Sequence, residues 1–215
     1  MIAEAYGIKL VRLNAKYLEL VRTHRNSAVI QSAMEYRDYI TADMQQKWFH
    51  SIDNEENNYA LIFVKNEPIG LISGTQIDWA NNITGNGGIF IWQPTYLESS
   101  YPAKASILMT DIGFFLGMKT NYIKILKDNS KAIAFNLSLG YVLLPHQNDS
   151  YNQSYILTAE AYFNSVAKFR KLIGAEGTIH FSIDNPADAS QKRIVETIKN
   201  LPPDKAINFK ISFTS

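Results

Sequence analysis

The sequence predicts an α/β fold in which a mixed central sheet is flanked by helices, with a C-terminal strand-helix-strand extension. Runs with apolar residues at every second position alternate along the chain with runs that have helical apolar spacing. With 215 residues, 46% of them hydrophobic and 19% charged, the chain is long enough for one well-buried domain and an appendage. We therefore predict a main domain over residues 1–172 and an extension over 173–215.

Charge and residue usage exclude several classes of partner. The net charge of +1 disfavours nucleic acid and anionic membranes, which attract strongly basic surfaces. The chain has no cysteine, and its four histidines lack the spacing of metal ligands, so we expect no metal site. With no disulfide and no secretory or membrane-spanning segment evident, we expect a cytoplasmic protein.

The first half of the chain predicts one strand, two helices and a meander. Residues 8–13 alternate apolar and polar positions, as in a half-buried strand, and helical patterns follow over 15–26 and 42–52. Thr41 is placed to cap the second helix. Branched residues and tight turns then predict three antiparallel strands, over 59–65, 69–78 and 87–92.

The second half alternates helices and strands. A loop over 93–100 precedes a helix that is predicted to begin at Pro102, because proline suits the first turn of a helix. The later segments are a strand over 121–127, a helix over 128–140, strands over 141–144 and 152–159, and an amphipathic helix over 159–174.

The extension reads as a strand, a helix over 188–201 and a second strand. Strict alternation predicts one buried face on each strand, formed by Ile179, Phe181 and Ile183 and by Ile207, Phe209, Ile211 and Phe213. Because two strands and a helix cannot be stable alone, the unit must pack on the main domain or on a partner subunit. We expect a parallel crossover if both strands share a sheet, and homodimerisation as the use of the unit.

Three segments carry a resemblance to a known family. RTHRNSAVIQSAM contains the pair Arg25 and Asn26, EPIGLISGTQIDW reads as a central hairpin strand, and DNSKAIAFNLSLGY places Asn129 ahead of a helix that ends in Leu-Gly-Tyr. Over residues 8–160 the chain resembles the GNAT superfamily of acyltransferases. The similar branch contains ribosomal-protein N-terminal and amino-sugar acetyltransferases.

The resemblance implies acetyl-CoA as the co-substrate. It places the pantetheine arm along the end of the third meander strand, and the pyrophosphate at the N-terminus of the next helix, where free N–H groups attract anions. The implied cofactor-binding residues are Phe90, Ile91, Trp92, Ala103, Lys104, Ala105, Ser106 and Asn129. Asn129 has a second interpretation as a helix cap. The segment SSYPAKAS has proline and alanine where the family has glycines.

The resemblance also implies positions for catalytic and acceptor-binding residues. Asn86 and Asn136 stand where relatives carry a Glu and a Tyr, and Glu35 lies in the segment that walls the acceptor site in the family. An amide can position water but cannot take a proton. Tyr36 and Arg37, and separately Asp78 and Trp79, are the candidate substrate-binding residues; the alternatives are a solvated loop and ordinary strand-end packing.

Two functions follow as hypotheses. The first is transfer of an acetyl group from acetyl-CoA to a primary amine by direct attack in a ternary complex. The acceptor is a small molecule such as an amino sugar, or a protein N-terminus. The second is a GNAT-like domain that has lost catalysis and serves as a ligand-binding or interaction module.

Overall fold

The strands of this protein form a single sheet in the computed structural model, which describes residues 1–32 and 34–214. The sheet order is β10-β9-β1-β2-β3-β4-β5-β6-β8-β7. The strands are β1 Ile2–Ala5, β2 Ile8–Arg12, β3 Asn58–Val64, β4 Glu67–Asp78, β5 Ile83–Ile91, β6 Thr120–Leu126, β7 Val142–Leu143, β8 Asn152–Thr158, β9 Ile179–Ile183 and β10 Phe209–Phe213.

Helices cover both faces of the sheet. They are α1 Leu18–Arg25, α2 Ala28–Ser32, α3 Ala42–Ile52, α4 Pro94–Leu97, α5 Tyr101–Phe115, α6 Ser130–Ser138, α7 Ala159–Ile173, α8 Ala189–Lys199 and α9 Pro203–Ala206, and a 3-10 turn at Ala15–Tyr17 precedes α1. On one face α1 to α3 pack over Leu61 and Leu71. On the other, α5, α7 and α8 pack over Ile62 and Ile72. We call the first the acceptor face, because the predicted acceptor-binding loop between α2 and α3 belongs to it, and the second the α5 face.

Local chemistry explains why the central elements form where they do. Thr41 caps α3, its hydroxyl accepting a hydrogen bond from the Met44 N–H at 3.2 Å. Lys65 and Asn66 both have positive φ, which is the geometry of the tight turn between β3 and β4. The meander that alternation predicts is therefore present, with β3, β4 and β5 antiparallel.

The extension continues the chain's own sheet. Strand β1, which the sequence pattern did not predict, forms a hairpin with β2 through Tyr6 and Gly7, both at positive φ. Its other edge pairs with β9, and β10 pairs with β9 in parallel, as a crossover requires. A four-residue strand carries too little alternation to be recognised from the sequence, and it becomes a strand through its pairing with β2 and β9.

The buried face of the extension is smaller than alternation predicts. Ile179, Phe181 and Ile183 are fully buried, whereas on β10 only Phe209 is. Ile207 lies outside the strand and is 75% exposed, and Phe213 is 58% exposed. The prediction was wrong at Phe213 because β10 is the edge strand of the sheet, and at Ile207 because that residue caps the end of α9 and does not lie on the strand.

Two boundaries near the predicted phosphate loop also differ from expectation. Residues 94–97 form the short helix α4 rather than a loop, and α5 begins at Tyr101 rather than Pro102. Pro102 is thus the second residue of the helix, where a missing N–H still costs no helical hydrogen bond.

Candidate functional site

Strands β5 and β6 separate to form a cleft. The two parallel strands pair only at Ile83 with Thr120 and at Thr84 with Asn121. Beyond these rungs β5 stays paired with β4, and β6 stays paired with β8. We call the space between the diverging strands the cleft, closed at the Thr84 rung and open at the strand ends.

The backbone of β5 presents hydrogen-bonding groups to the cleft. The Trp92 N–H donates to the Ile69 carbonyl at 2.9 Å, on the β4 side. Because successive residues of a strand point their N–H and C=O groups to opposite edges, those of Ile91 and Ile89 point into the cleft. Of the three predicted pantetheine residues, only Ile91 offers its backbone there. Ile89 is a residue that the sequence analysis missed, because the pairing with β4 decides which alternate residues of β5 face the cleft.

The closed end of the cleft lies beside an irregularity in the sheet. Pairing between β4 and β5 is interrupted at Gln76, whose φ is 53°, and Gly85. A Cβ atom on Gly85 would lie 2.8 Å from the Cβ of Gln76, so a larger residue would force the strands apart. The glycine therefore lets the two backbones approach where the cleft closes.

The N-terminus of α5 lies next to the end of β5. The Lys104 N–H already donates to the Ser100 carbonyl at 2.9 Å, and Ala105 is fully buried. Pro102 has no N–H, and the Tyr101 N–H donates to the Ser99 Oγ at 3.3 Å. Among the residues that the structure describes, the first-turn N–H of α5 without a hydrogen-bond partner is therefore that of Ala103. Among the predicted phosphate donors, Lys104, Ala105 and Ser106 thus lie too far into the helix for their N–H groups to be free. The Lys104 ammonium remains at this end, 5.7 Å from the Tyr101 ring centroid.

An ion pair spans the open end of the cleft. Glu98, which follows α4, accepts from the Nζ of Lys131 in α6 at 2.7 Å, and both side chains are more than 80% exposed. Asn129 caps α6, its Oδ1 accepting from the Ala132 N–H at 3.1 Å. The structure thus gives Asn129 the capping role that the sequence left as an alternative.

The loop between α2 and α3 reaches the open end from the acceptor face. Glu35 accepts from the Nδ2 of Asn152 at 2.9 Å, and Asn152 pairs with the last residue of β6. Nearby, the hydrogen bond from the Tyr151 hydroxyl to Asp128 raises the pKa of Tyr151, and Arg37 partly offsets that effect. Tyr36 is exposed.

Asp78 and Trp79 lie at the opposite end of the cleft from this loop. Asp78 pairs with Ile83 at the closed end and accepts hydrogen bonds from Asn81. The indole of Trp79 donates to the Glu55 carbonyl at 2.9 Å, and Arg193 of the extension stacks over its ring at 5.2 Å. The two predicted groups of substrate-binding residues therefore do not form one site.

The predicted catalytic amides are engaged with the backbone. The Asn86 Oδ1 accepts from the adjacent Gly87 N–H at 3.0 Å, and the Asn136 Nδ2 donates to the Ala132 carbonyl at 2.8 Å. Glu35 is at the open end, as described. The three residues do not converge on a single point.

Comparison with known proteins identifies the architecture. No protein-family model and no curated protein matches the chain, but solved structures do. A nucleotide-linked sugar GNAT, FdhC in its apo form, superimposes with a TM-score of 0.65 at 20% identity, over 81% of this chain and 99% of that one. The Vibrio cholerae spermidine N-acetyltransferase in complex with CoA and spermine superimposes with a TM-score of 0.61 at 18% identity, over 74% of this chain and 99% of that one. This chain has the GNAT fold.

A chimera of that spermidine enzyme with hSSAT gives a TM-score of 0.64 at 18% identity, again over 74% of this chain and 99% of that one. A domain from Methanocaldococcus jannaschii superimposes with a TM-score of 0.59 at 17% identity, over 70% of this chain and 97% of that one. These similarities establish the GNAT architecture and leave the activity to be argued from the residues.

Tyr122 is a residue of the cleft that the sequence analysis missed. Ile123 and Ile125 of β6 are buried on the α5 face, so alternation turns Tyr122 and Lys124 towards the acceptor face. Tyr122 directly follows the last β5–β6 rung and is half-buried. Tyr122 therefore borders the closed end of the cleft on the acceptor face.

The end of α1 brings further functional groups to the end of β5. His24 stacks on Trp92 with centroids 4.5 Å apart, and burial lowers the pKa of His24 below its usual value. The guanidinium of Arg25 lies 5.9 Å from the Phe90 centroid, and its buried Nη1 has no hydrogen-bond partner within residues 1–32 and 34–214. Asn26 differs, because its amide exchanges two hydrogen bonds of 2.8 Å with the backbone of Ile40 and holds the α2–α3 loop.

In the part of the chain that the structure describes, no three His, Asp or Glu side chains are grouped so that they could hold a metal ion. Within the same residues, no helix has both the length and the apolarity needed to cross a membrane.

Proposed function

We propose that this protein is an acyl-CoA-dependent N-acyltransferase that transfers an acetyl or related acyl group to a primary amine. The observation that carries the proposal is the separation of β5 from β6 beyond the Thr84–Asn121 rung, which leaves the Ile89 and Ile91 backbone groups facing a cleft. An extended amide-containing chain can pair with such a strand edge as another strand would. The pantetheine arm of coenzyme A is a chain of this kind.

The surrounding groups suit the rest of coenzyme A. The N-terminus of α5, with the Ala103 N–H and the Lys104 ammonium, offers the positive end of a helix dipole to a pyrophosphate. With the pyrophosphate at this end and the pantetheine arm along Ile91 and Ile89, the thioester would reach the closed end of the cleft. There it would lie beside Gly87 and Tyr122.

The proposed reaction is direct transfer in a ternary complex. A neutral amine attacks the thioester carbonyl carbon, the C–N bond forms, the C–S bond breaks, and the amine loses a proton to water. The proposed proton donor to the departing thiolate is Tyr122, which follows the last β5–β6 rung. Asn86 and Asn136 would not exchange protons, and holding amine and thioester together would supply much of the rate.

Arg25 supports an acceptor that carries a negative group as well as its amine. A buried guanidinium nitrogen without a partner is costly, so a phosphate or carboxylate of the acceptor would stabilise it, whereas a polyamine would be repelled. An amino sugar that carries a phosphate group fits this description, and a protein N-terminus with a nearby acidic residue is the other acceptor. One solved neighbour is named for a nucleotide-linked sugar, which agrees with this acceptor class, and another is named for spermidine, a polyamine, which does not.

Calorimetric titration with coenzyme A and acetyl-CoA tests the proposal. We expect dissociation constants in the micromolar range, followed by thiol release when amines are supplied. No heat at millimolar ligand would refute the proposal. An amine panel matched for size, with and without a phosphate, then tests the acceptor assignment, and Arg25→Met should remove the preference for the phosphate.

A repurposed binding module is the second candidate. It is favoured by the hydrogen bonds that hold the Asn86 and Asn136 side chains against the backbone. Binding of coenzyme A without thiol release from acetyl-CoA, across the whole amine panel, would select this candidate.

Homodimerisation stays a prediction. The edge strand β10 carries the exposed Phe213, and Ile207 is exposed just before the strand. Light scattering of the full chain decides between monomer and dimer, and Phe213→Lys should convert a dimer formed through this edge into a monomer.

A further inference from the structure

A cavity lies on the α5 face, at the closed end of the cleft. Its volume is ≈80 Å³, which is room for roughly five water-sized spheres. The sheet contributes Gly74, Thr84, Gly87 and Asn121 to its lining, and α5 contributes Met109 and Gly113. Thr84 and Asn121 form the rung at which β5 and β6 begin to separate, so the cavity starts where the cleft ends.

The extension forms one wall of this cavity. Ile194 and Ser190 of α8 line it, opposite the sheet. The extension is positioned there by the pairing of β9 with β1 and by the Arg193–Glu55 ion pair, whose Nε–Oε2 distance is 2.6 Å. The cavity is therefore built jointly by the GNAT-like domain and by the unit that follows it.

The lining is mostly apolar but contains a polar group in need of a partner. Met109, Ile112 and Ile194 contribute aliphatic surface, whereas the Oδ1 of Asn121 is buried and has no hydrogen-bond partner among the residues described. An unpaired buried oxygen is unfavourable in an empty packing defect. A water molecule at the Asn121 end that donates to the Oδ1 removes that cost, and the aliphatic remainder of the cavity stays available to an apolar group.

We infer that this cavity holds the acyl chain of the donor and that the protein prefers acyl groups longer than acetyl. The inference rests on the proposed function, because it needs the thioester at the closed end of the cleft. An acetyl group ends at the thioester position, whereas a longer chain continues past the Thr84–Asn121 rung. Burial of each added methylene among Met109, Ile112 and Ile194 favours binding.

Binding of a donor series to the full-length protein tests the inference without knowledge of the acceptor. Coenzyme A, acetyl-CoA, butyryl-CoA and hexanoyl-CoA are titrated by calorimetry. At ~0.8 kcal/mol per buried methylene, butyryl-CoA should bind about 15-fold more tightly than acetyl-CoA. Hexanoyl-CoA should gain less than this again, because the cavity is finite.

Two variants change the cavity from opposite walls. Gly113→Leu should fill it, because a Cβ at this position meets nothing closer than the Met118 Cγ at 3.8 Å. We expect it to abolish the advantage of butyryl-CoA and leave the affinity for coenzyme A unchanged. Ile194→Ala should enlarge the cavity and shift the preference towards hexanoyl-CoA. Ile198→Ala is the matched control, since Ile198 lies on the same helix, is equally buried and does not line the cavity.

Each result is decisive. Affinity that rises with chain length and is altered by Gly113→Leu and Ile194→Ala but not by Ile198→Ala supports the inference. If coenzyme A binds but affinity is flat or falls from acetyl to butyryl, the acyl-pocket assignment is overturned and the proposed function stands. If coenzyme A itself does not bind, both are overturned.

Discussion

Arg170 of α7 and Asp111 of α5 form an ion pair in the core, with the Nη1–Oδ2 distance at 2.7 Å and Asp111 fully buried. The hydroxyls of Tyr6 and Tyr162 also donate to this carboxylate, at 2.7 and 2.9 Å. Arg170 donates in addition to the Ala175 carbonyl, where the extension begins. The pair thus connects α5, α7, the β1–β2 turn and the start of the extension.

Removal of the arginine should destabilise the fold strongly. Arg170→Met leaves a buried carboxylate without its cation, and we expect a loss of about 3–5 kcal/mol in the free energy of unfolding. Urea denaturation followed by circular dichroism measures it. Lys47→Met removes the cation of an exposed pair and should change stability little. Equal effects of the two variants would show that the buried pair has no special role.

The phosphate assignment predicts an effect of charge at the start of α5. Ala103→Asp would place an anion against the pyrophosphate, and we expect coenzyme A to bind about tenfold more weakly or worse. The fold should persist, because an acidic residue in the first turn favours a helix. Ala105, which the family resemblance also implies as a phosphate-binding residue, is fully buried. A charged substitution at Ala105 would therefore disturb folding and would not test binding.

A neutral variant and a shorter ligand control this experiment. Ala103→Asn has the same size without the charge and should bind coenzyme A nearly as the parent does. Pantetheine lacks the pyrophosphate and should bind both variants alike. If Ala103→Asp also weakened the binding of pantetheine, the variant would be acting on another part of the cleft and not on the pyrophosphate.

The Glu98–Lys131 pair predicts opposite effects of its two partners. Glu98→Gln frees the Lys131 ammonium for the phosphates, and we expect about two- to fivefold tighter binding of coenzyme A. Lys131→Gln should weaken binding by a similar factor. Both effects should shrink in high salt, because these side chains are exposed. Affinity changes of the same sign in both variants would exclude this arrangement.

Substitution of Tyr122 should slow the chemical step without changing the binding of the donor. If its hydroxyl protonates the thiolate, Tyr122→Phe should lower kcat about 100-fold or more and leave the dissociation constant of acetyl-CoA unchanged. Tyr59→Phe, on β3 and away from the cleft, is the control. An unchanged kcat in the Tyr122 variant would transfer the role to water.

His24 predicts a pH dependence of stability. Burial lowers its pKa in the folded protein, so the unfolded chain binds the proton first as the pH falls. The contribution of His24 is therefore complete above about pH 6.5, the usual pKa of histidine, and is lost as the pH falls towards the lowered value.

His24→Phe keeps a ring over Trp92 but cannot titrate. Urea denaturation at two pH values, one on each side of that range, should show a smaller acid loss for this variant than for the parent. A parent-like acid loss in His24→Phe would contradict the assignment.

The sequence itself determined most of the elements and the GNAT architecture. Apolar periodicity is a local property, so the helices and the meander strands could be predicted from neighbouring residues. A cap residue acts on its own helix, so Thr41 could be predicted from the chain. Thr158 caps α7 in the same way, but the sequence analysis did not identify it. The resemblance of the motif segments to the GNAT superfamily then predicted that these elements form a mixed sheet flanked by helices.

The tertiary structure decided which atoms face the cleft and what closes it. The hydrogen bond from the Trp92 N–H to the Ile69 carbonyl decides which alternate residues of β5 turn their backbone groups towards the cleft, and these are Ile89 and Ile91. The separation of β5 from β6 brings Tyr122 to the border of the cleft. The cavity also depends on the pairing of β1 with β9, which positions α8 against the sheet and joins residues more than 170 positions apart in the sequence. Such contacts depend on distances between residues remote in the chain, which periodicity and motif spacing do not encode.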